Sequence, residues 1–261
     1  MKSTKSLLIA LFGLTVVASI SGCKDGLFCM TPKGAQVTEV IALEDFTGID
    51  LAIASDVTLH QGATQEVRIT GAQNIIDNIE RNVVGGVWKI KFDECVRNEG
   101  QLSIDITLPT LTEASISGSG NIVSNDTFPG ADELKVSIAG SGSIDIIASA
   151  TTVESSIAGS GDIHLYTEAS TVRASIAGSG DQYLTGSSDF LEVDIAGSGN
   201  IRAYDLPCVN GDVSITGSGD CEIQVSDHLN VTITGSGSVR YKGSPTMDTN
   251  ITGSGSVKHV Q

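Results

Sequence analysis

Basic side chains are in short supply in this sequence: 15 lysines and arginines stand against 31 aspartates and glutamates, a formal charge of −16. A surface of that sign repels phosphate, which excludes nucleic acid as a partner. It suits solubility, or attraction for cations and basic ligands. Long apolar runs are missing as well. The best, Leu7 to Ile20, has 14 residues, short of the roughly 20 that a membrane-spanning helix requires. Only five cysteines are present and no two have metal-ligand spacing, which excludes a zinc site of the usual kind. No Gly-x-Ser-x-Gly elbow precedes a helical pattern, so the signature of a hydrolase nucleophile is absent too. Aromatic residues make up 4% of the chain.

The beginning of the chain reads as an export leader, with Lys2 and Lys5 ahead of the apolar run and small residues at its end. The next four residues, Ile20-Ser21-Gly22-Cys23, resemble the lipobox of bacterial lipoproteins. That resemblance implies cleavage after residue 22, lipidation of Cys23 and a membrane partner reached through the lipid; more than one acyl chain gives stable anchoring. Residues 23–37 then form a lipidated tether. Loss of Lys2 and Lys5 leaves 13 basic and 31 acidic residues, a mature charge of −18. Cys29, Cys95, Cys208 and Cys221 remain in a disulfide-permissive compartment, where three pairings are open; Cys208 with Cys221 is the favoured one.

The triplet Gly-Ser-Gly occurs eight times, starting at Gly118, Gly140, Gly159, Gly178, Gly197, Gly217, Gly235 and Gly253, in steps of 22, 19, 19, 19, 20, 18 and 18 residues. A flexible Gly/Ser linker has no reason to carry hydrophobes in register. Here isoleucine stands two residues before every triplet, from Ile116 to Ile251. The two-residue period of a strand puts Val136, Ile138, Gly140, Gly142, Ile144 and Ile146 on one side of a single copy, with Ser137, Ala139, Ser141, Ser143 and Asp145 on the other. Glycine thus falls on the inward track at a corner, where a side chain would meet the core and where unusual φ values are needed.

Such a unit cannot bury its apolar side alone, but stacked copies align their isoleucines into a ladder. The expected fold is therefore all-β: a parallel β-helix of about eight Gly-Ser-Gly coils over 113–261, roughly 38 Å long at the usual strand spacing. A propeller, with blades of about 40 residues, and a sandwich fit the invariant corner less well. Residues 38–112 lack the triplet, yet read as strands over 49–59, 65–69, 87–92 and 101–108, with a short helix over 74–81. They form a less regular β region that caps the rod, so that 38–261 is one continuous fold.

The runs Gly118-Ser-Gly-Asn-Ile122 and Gly197-Ser-Gly-Asn-Ile201, the closing stretch Gly235 to Gly243 followed by Pro245, and the early run Phe46 to Leu59 resemble the auto-transporter adhesin, head GIN domain family. The family, formerly a domain of unknown function, is common in envelope lipoproteins of the Bacteroidetes type. The likeness spans about Phe46 to Val257. It implies a right-handed β-helix and an adhesion role, and leaves the ligand open. With the leader and Cys23, the expected place is the outer membrane, as a lipoprotein on its periplasmic or surface side, and the flat small-residue face suits a glycan or a host or cell-surface protein.

Candidate chemistry is sparse, and no cofactor is expected. The residue after each triplet is Asn121, Ser143, Asp162, Asp181, Asn200, Asp220, Ser238 or Ser256. Asp162 and Asp181 come out as stacked neighbours, a candidate calcium pair or, on an enzyme reading, the carboxylates of a polysaccharide lyase or glycosidase. The plainer reading is a solvated ladder that satisfies turn backbone. His60, His164, His228 and His259 fall at unrelated repeat positions, so no two share a metal. Gln182 and Cys221 interrupt inward columns of isoleucine and valine. Binding surfaces favour aromatic and arginine residues, and Tyr166 and Tyr183 are the exposed aromatics expected in mid-rod. The favoured function is a non-catalytic, lipid-anchored binding or structural module of the cell envelope.

Overall fold

The computed structural model describes residues 29–261, so the expected leader and Cys23 lie outside the described residues. Eight short strands and one helical turn come first: β1 (Gln36–Ile41), β2 (Gly48–Leu51), β3 (Asp56–Gln61), β4 (Glu66–Ala72), α1 (Gln73–Ile76), β5 (Val83–Val84), β6 (Val87–Ile90), β7 (Ser103–Leu108) and β8 (Glu113–Ile116). Six long strands then each run from one triplet to the next: β9 (Asn121–Gly140), β10 (Ser143–Gly159), β11 (Asp162–Gly178), β12 (Asp181–Gly197), β13 (Asn200–Gly217) and β14 (Asp220–Gly235). The last coil is made of β15 (Ser238–Lys242), β16 (Thr246–Gly253) and β17 (Ser256–His259). The protein is a β-solenoid of about eight turns.

Within a coil the side chains alternate as the strand period requires. In β11, Ile163, Leu165 and Thr167 point inward, as do Val172, Ala174 and Ile176. The odd step from Thr167 to Val172 marks a second bend opposite the triplet corner. Successive coils pair in parallel with like residues in register: Ile138 with Ile157, Ile157 with Ile176, Ile176 with Ile195, Ile195 with Ile215 and Ile215 with Ile233. Each of these isoleucines is at most 2% exposed. Burial of one such side chain is worth roughly 1.5–3 kcal/mol, an upper figure because the unfolded chain already buries part of it.

The amino-terminal strands continue the same stack out of sequence order. β2 lies between β6 and β8, and β3 between β7 and β9, so the ladder runs Ile90, Leu51, Ile116, Ile138. Beyond it, β4 pairs antiparallel with β7 and β1 antiparallel with β4. The helix is one turn, shorter than the sequence suggests. Its continuation is pulled away by other partners: Asn78 bonds the backbone of Glu94 through both side-chain atoms, and the Trp88 indole donates to Glu80 O at 2.9 Å.

The disulfide joins Cys29 to Cys95. The favoured Cys208–Cys221 pair is a correction: both thiols are buried and unbonded. Cys208 stands opposite Val225 and Cys221 opposite Ile201. They are therefore four positions apart along the winding, roughly 13 Å of extended strand, whereas a disulfide needs Cα atoms closer than about 7 Å. Burial pushes the Cys208 thiol up to about 12 and raises that of Cys221 as well, so both stay protonated and unreactive at neutral pH.

At the corner the two glycines are required for different reasons. From Gly140 onward the first has positive φ, for example +141° at Gly178, and a Cβ there would lie 2.2 Å from the carbonyl oxygen of Gly159 in the coil before. The second is fully inward: a Cβ on Gly180 would lie 2.2 Å from Gly161 O and 2.9 Å from the Ile157 side chain. Gly130, by contrast, has no positive φ, and its nearest neighbour would be at 3.7 Å. Gly178→Ala is expected to cost more than about 2 kcal/mol of stability and Gly130→Ala less than about 1, as read by chemical denaturation; equal losses would contradict this account of the corner.

Candidate functional site

Two faces flank the triplet corner. On the strand that enters it, the outward positions form three columns. The first alternates in charge, Glu113, Lys135, Glu154, Arg173, Glu192, in register from coil to coil, with Lys135 at 2.9 Å from Glu113 and Arg173 at 3.1 Å from Glu192. The second is Ser137, Ser156, Ser175, Asp194 and Ser214, and the third Ala139, Ala158, Ala177, Ala196 and Thr216. Because the last two columns are short side chains beside long ones, the surface dips into a trough of about 540 Å³ lined by these serines and alanines. Five coils contribute to it, at one strand spacing of about 4.8 Å each.

The strand leaving the corner carries the Asp/Asn/Ser column. Asp162 and Asp181 are brought side by side in register, and three of their four carboxylate oxygens have partners. Asp162 Oδ1 accepts from the Asp181 backbone N–H at 3.3 Å, and Asp181 Oδ1 accepts from both the backbone and the side-chain amide of Asn200, at 3.2 and 2.8 Å. Asn200 Oδ1 in turn accepts from Asp220 N, and Asp220 Oδ1 from Ser238 N. Each side chain thus ties down the corner of the next coil. Arg202 occupies the other Asp181 oxygen at 3.0 Å. Among the described residues no cluster of three or more potential ligands is placed to hold a metal.

One column further on, His164 and Tyr183 stack at 4.3 Å with their planes 9° apart, and the Arg202 guanidinium lies 4.7 Å from the Tyr183 ring centre. Beside them Lys242 sits 4.5 Å over Tyr204, and Tyr166 is 43% exposed. Tyr204 is thus a third outward tyrosine on this face. The register marks it, since it lies two residues beyond Arg202.

Gln182 is fully buried and is not a site. Its amide donates to Ser155 O and Ser175 O at 3.3 and 2.8 Å and accepts from the Ser155 hydroxyl at 2.8 Å, which ties the two faces together through the core. The sequence showed the polar intruder but not its partner, because Ser155 shares its column with Val136 and Ala174. The alternating Lys/Glu/Arg rim of the trough was legible in principle as a charge that changes sign in steps of 22, 19, 19 and 19 residues.

The architecture, a parallel β-solenoid with a regular corner and two open faces, defines the structural class. The chain belongs to the family described as "Putative auto-transporter adhesin, head GIN domain", which matches residues 45–181 and 149–245. Among solved structures it is similar to a "Putative lipid binding protein" from Parabacteroides distasonis, at 26% identity and a TM-score of 0.82, with 88% of this chain and 98% of that one covered. It is similar also to a "putative adhesin" from Parabacteroides merdae, at 24% identity, a TM-score of 0.82 and the same coverage. Another "putative adhesin", from Bacteroides fragilis, is 25% identical with a TM-score of 0.67, covering 88% of this chain and 99% of that one. No curated protein matches the sequence.

Burial pushes the Asp181 carboxyl up, but the hydrogen bonds from Arg202 and Asn200 outweigh it and leave its pKa below the ordinary aspartate value. Its contribution to stability is therefore present above the unfolded value near 4 and is lost as the pH falls through the lower folded value. Arg202→Met should move the Asp181 titration midpoint upward in a carbon-13 NMR pH series; an unmoved midpoint would show that the guanidinium does not hold this carboxylate.

Proposed function

We propose that this chain is a non-catalytic, lipid-anchored cell-envelope protein that binds an extended polymer along its small-residue trough, as an adhesin-like module. The trough carries the reading. Its floor of short side chains repeats from Ser137 to Thr216, Ser with Ala in three coils, Asp194 with Ala196 in the fourth and Ser214 with Thr216 in the fifth, which suits a ligand that repeats along its length, such as a glycan chain or an extended segment of a host or cell-surface protein. Family membership supports an adhesin located in the envelope or at the cell surface. The enzyme reading has less support. Asp162 and Asp181 share one column instead of facing each other across a groove, and an oxygen of each is engaged in the corner ladder while Arg202 holds the second Asp181 oxygen.

Ala177 is exposed on the trough floor, so Ala177→Glu fills the trough without disturbing the core. On a glycan array and in pull-downs against host matrix, the native protein should retain a ligand that Ala177→Glu releases by at least about tenfold, roughly 1.4 kcal/mol. Equal retention would move binding elsewhere on the rod.

Anchoring is read from Ile20-Ser21-Gly22-Cys23. Metabolic labelling with an alkyne fatty acid should mark the native protein and leave Cys23→Ala unmarked. Label on both proteins would remove Cys23 from that role.

A further inference from the structure

On the strands leaving the corner one column of flat side chains is complete and the next has a missing rung. In the complete one, His164, Tyr183 and Arg202 occupy successive coils and stack at 4.3 and 4.7 Å. The neighbouring column, two residues further along each strand, runs Ile147, Tyr166, Thr185, Tyr204, Gln224 and Lys242. Its two tyrosines stand two coils apart, about 9.6 Å at the usual strand spacing, with only the short Thr185 between them. The Thr185 hydroxyl bonds back to Leu165 O at 3.4 Å, which keeps that side chain low. Lys242 lies over the Tyr204 ring at 4.5 Å from the coils beyond it, so the Tyr204 face that remains open is the one toward Thr185. Tyr166, on the other side of the gap, is 43% exposed.

We infer that this gap receives one sugar ring of a carboxylated glycan laid along the rod. Two rings that far apart, with their own thickness taken off, leave room for one more ring. A pyranose presents C–H groups on its faces and hydroxyls at its edge, and tyrosine meets it with an apolar ring and a polar tip. A protein partner asks for an apolar centre to its interface, and in this column only Ile147 is aliphatic. The charge of the occupant follows from the cations. From β13 onward the outward positions of the leaving strands hold Arg202, Arg240, Lys242 and Lys258 against Asp220 and Glu222, in a chain with 15 basic and 31 acidic residues. The two arginines are held by Asp181, Asp220 and Glu222. Lys242 instead rests on Tyr204 and forms no ion pair among the described residues, so its ammonium is free for a carboxylate on the next sugar along the polymer. One carboxylate per sugar is a sparser charge than the phosphates of DNA, at one per about 1.7 Å. The acidic remainder of the rod is screened beyond about 8 Å at physiological salt, and the local cations then decide.

The inference does not use the trough, which lies on the strands entering the corner.

Trigalacturonate titrated into the protein and read by proton NMR tests it. The expected result is an upfield shift of the sugar C–H protons, the sign of a ring seated over an aromatic face, with binding that weakens as salt rises. Thr185→Tyr supplies the missing rung and should abolish the shifts while keeping the native circular dichroism. Lys242→Glu should weaken binding at least about tenfold. Lys33→Glu, the same change of charge at an exposed position in the amino-terminal region, should alter it less than about twofold. Absence of upfield shifts, shifts that survive Thr185→Tyr, or equal binding of maltotriose or triglutamate would each overturn the proposal. Shifts abolished by Ala177→Glu and kept by Thr185→Tyr would overturn it while supporting the trough as the binding surface.

Discussion

At every corner a glycine carbonyl of one coil accepts the serine N–H of the next, and this contact sets the path of the whole chain. Ser160 bonds Gly140 at 3.0 Å, Ser179 bonds Gly159 at 2.9 Å, Ser198 bonds Gly178 at 2.9 Å, and Ser218, Ser236 and Ser254 continue the series at 2.8 Å. The bonds can form only because both backbones approach without a Cβ between them. Once the corner is fixed, the register of each strand follows, and with it the isoleucine ladder and the outward columns. A shift of one residue would turn every isoleucine to solvent, so corner and core enforce the same alignment.

That coupling explains why so much of the solenoid could be read from residues alone. An isoleucine two positions before each glycine triplet states both the inward track and the bend, and the strand period supplies the rest. The amino-terminal region was less legible, because nothing local tells β2 to slot between β6 and β8, which follow it in the chain. Its contacts are long-range and its corners, such as Ala52 to Ser55, carry no repeated signature. The disulfide was illegible for a related reason. Cys29 lies outside the repeat frame, and its distance from Cys95 is set by that out-of-order stacking. The pair that the sequence made look close, Cys208 and Cys221, is close in number but offset in the winding.

The faces were legible as columns but not as shapes. Asp162 beside Asp181 followed from the repeat, whereas the hydrogen bonds that occupy their oxygens came from backbone positions that only coordinates reveal. The trough likewise depends on a difference in side-chain length between neighbouring columns, a flat Ser/Ala floor beside a Lys/Glu/Arg rim. Short side chains on a tight coil have a packing explanation of their own. Their unbroken run over five coils is what turns them into a surface suited to a periodic ligand.

The Cys29–Cys95 bond also decides how this protein carries load. Tension arriving through residues ahead of Cys29 crosses directly to Cys95 by the sulfur bridge, so the 65 residues between them, including the out-of-order coil and the antiparallel strands, are bypassed. A crosslink over so long a loop also removes about 4 kcal/mol of unfolded-state freedom. Strands β1 to β6 are thus the part that pulling cannot unravel from the front, and the load falls first on the segment after Cys95, through β7 and β8.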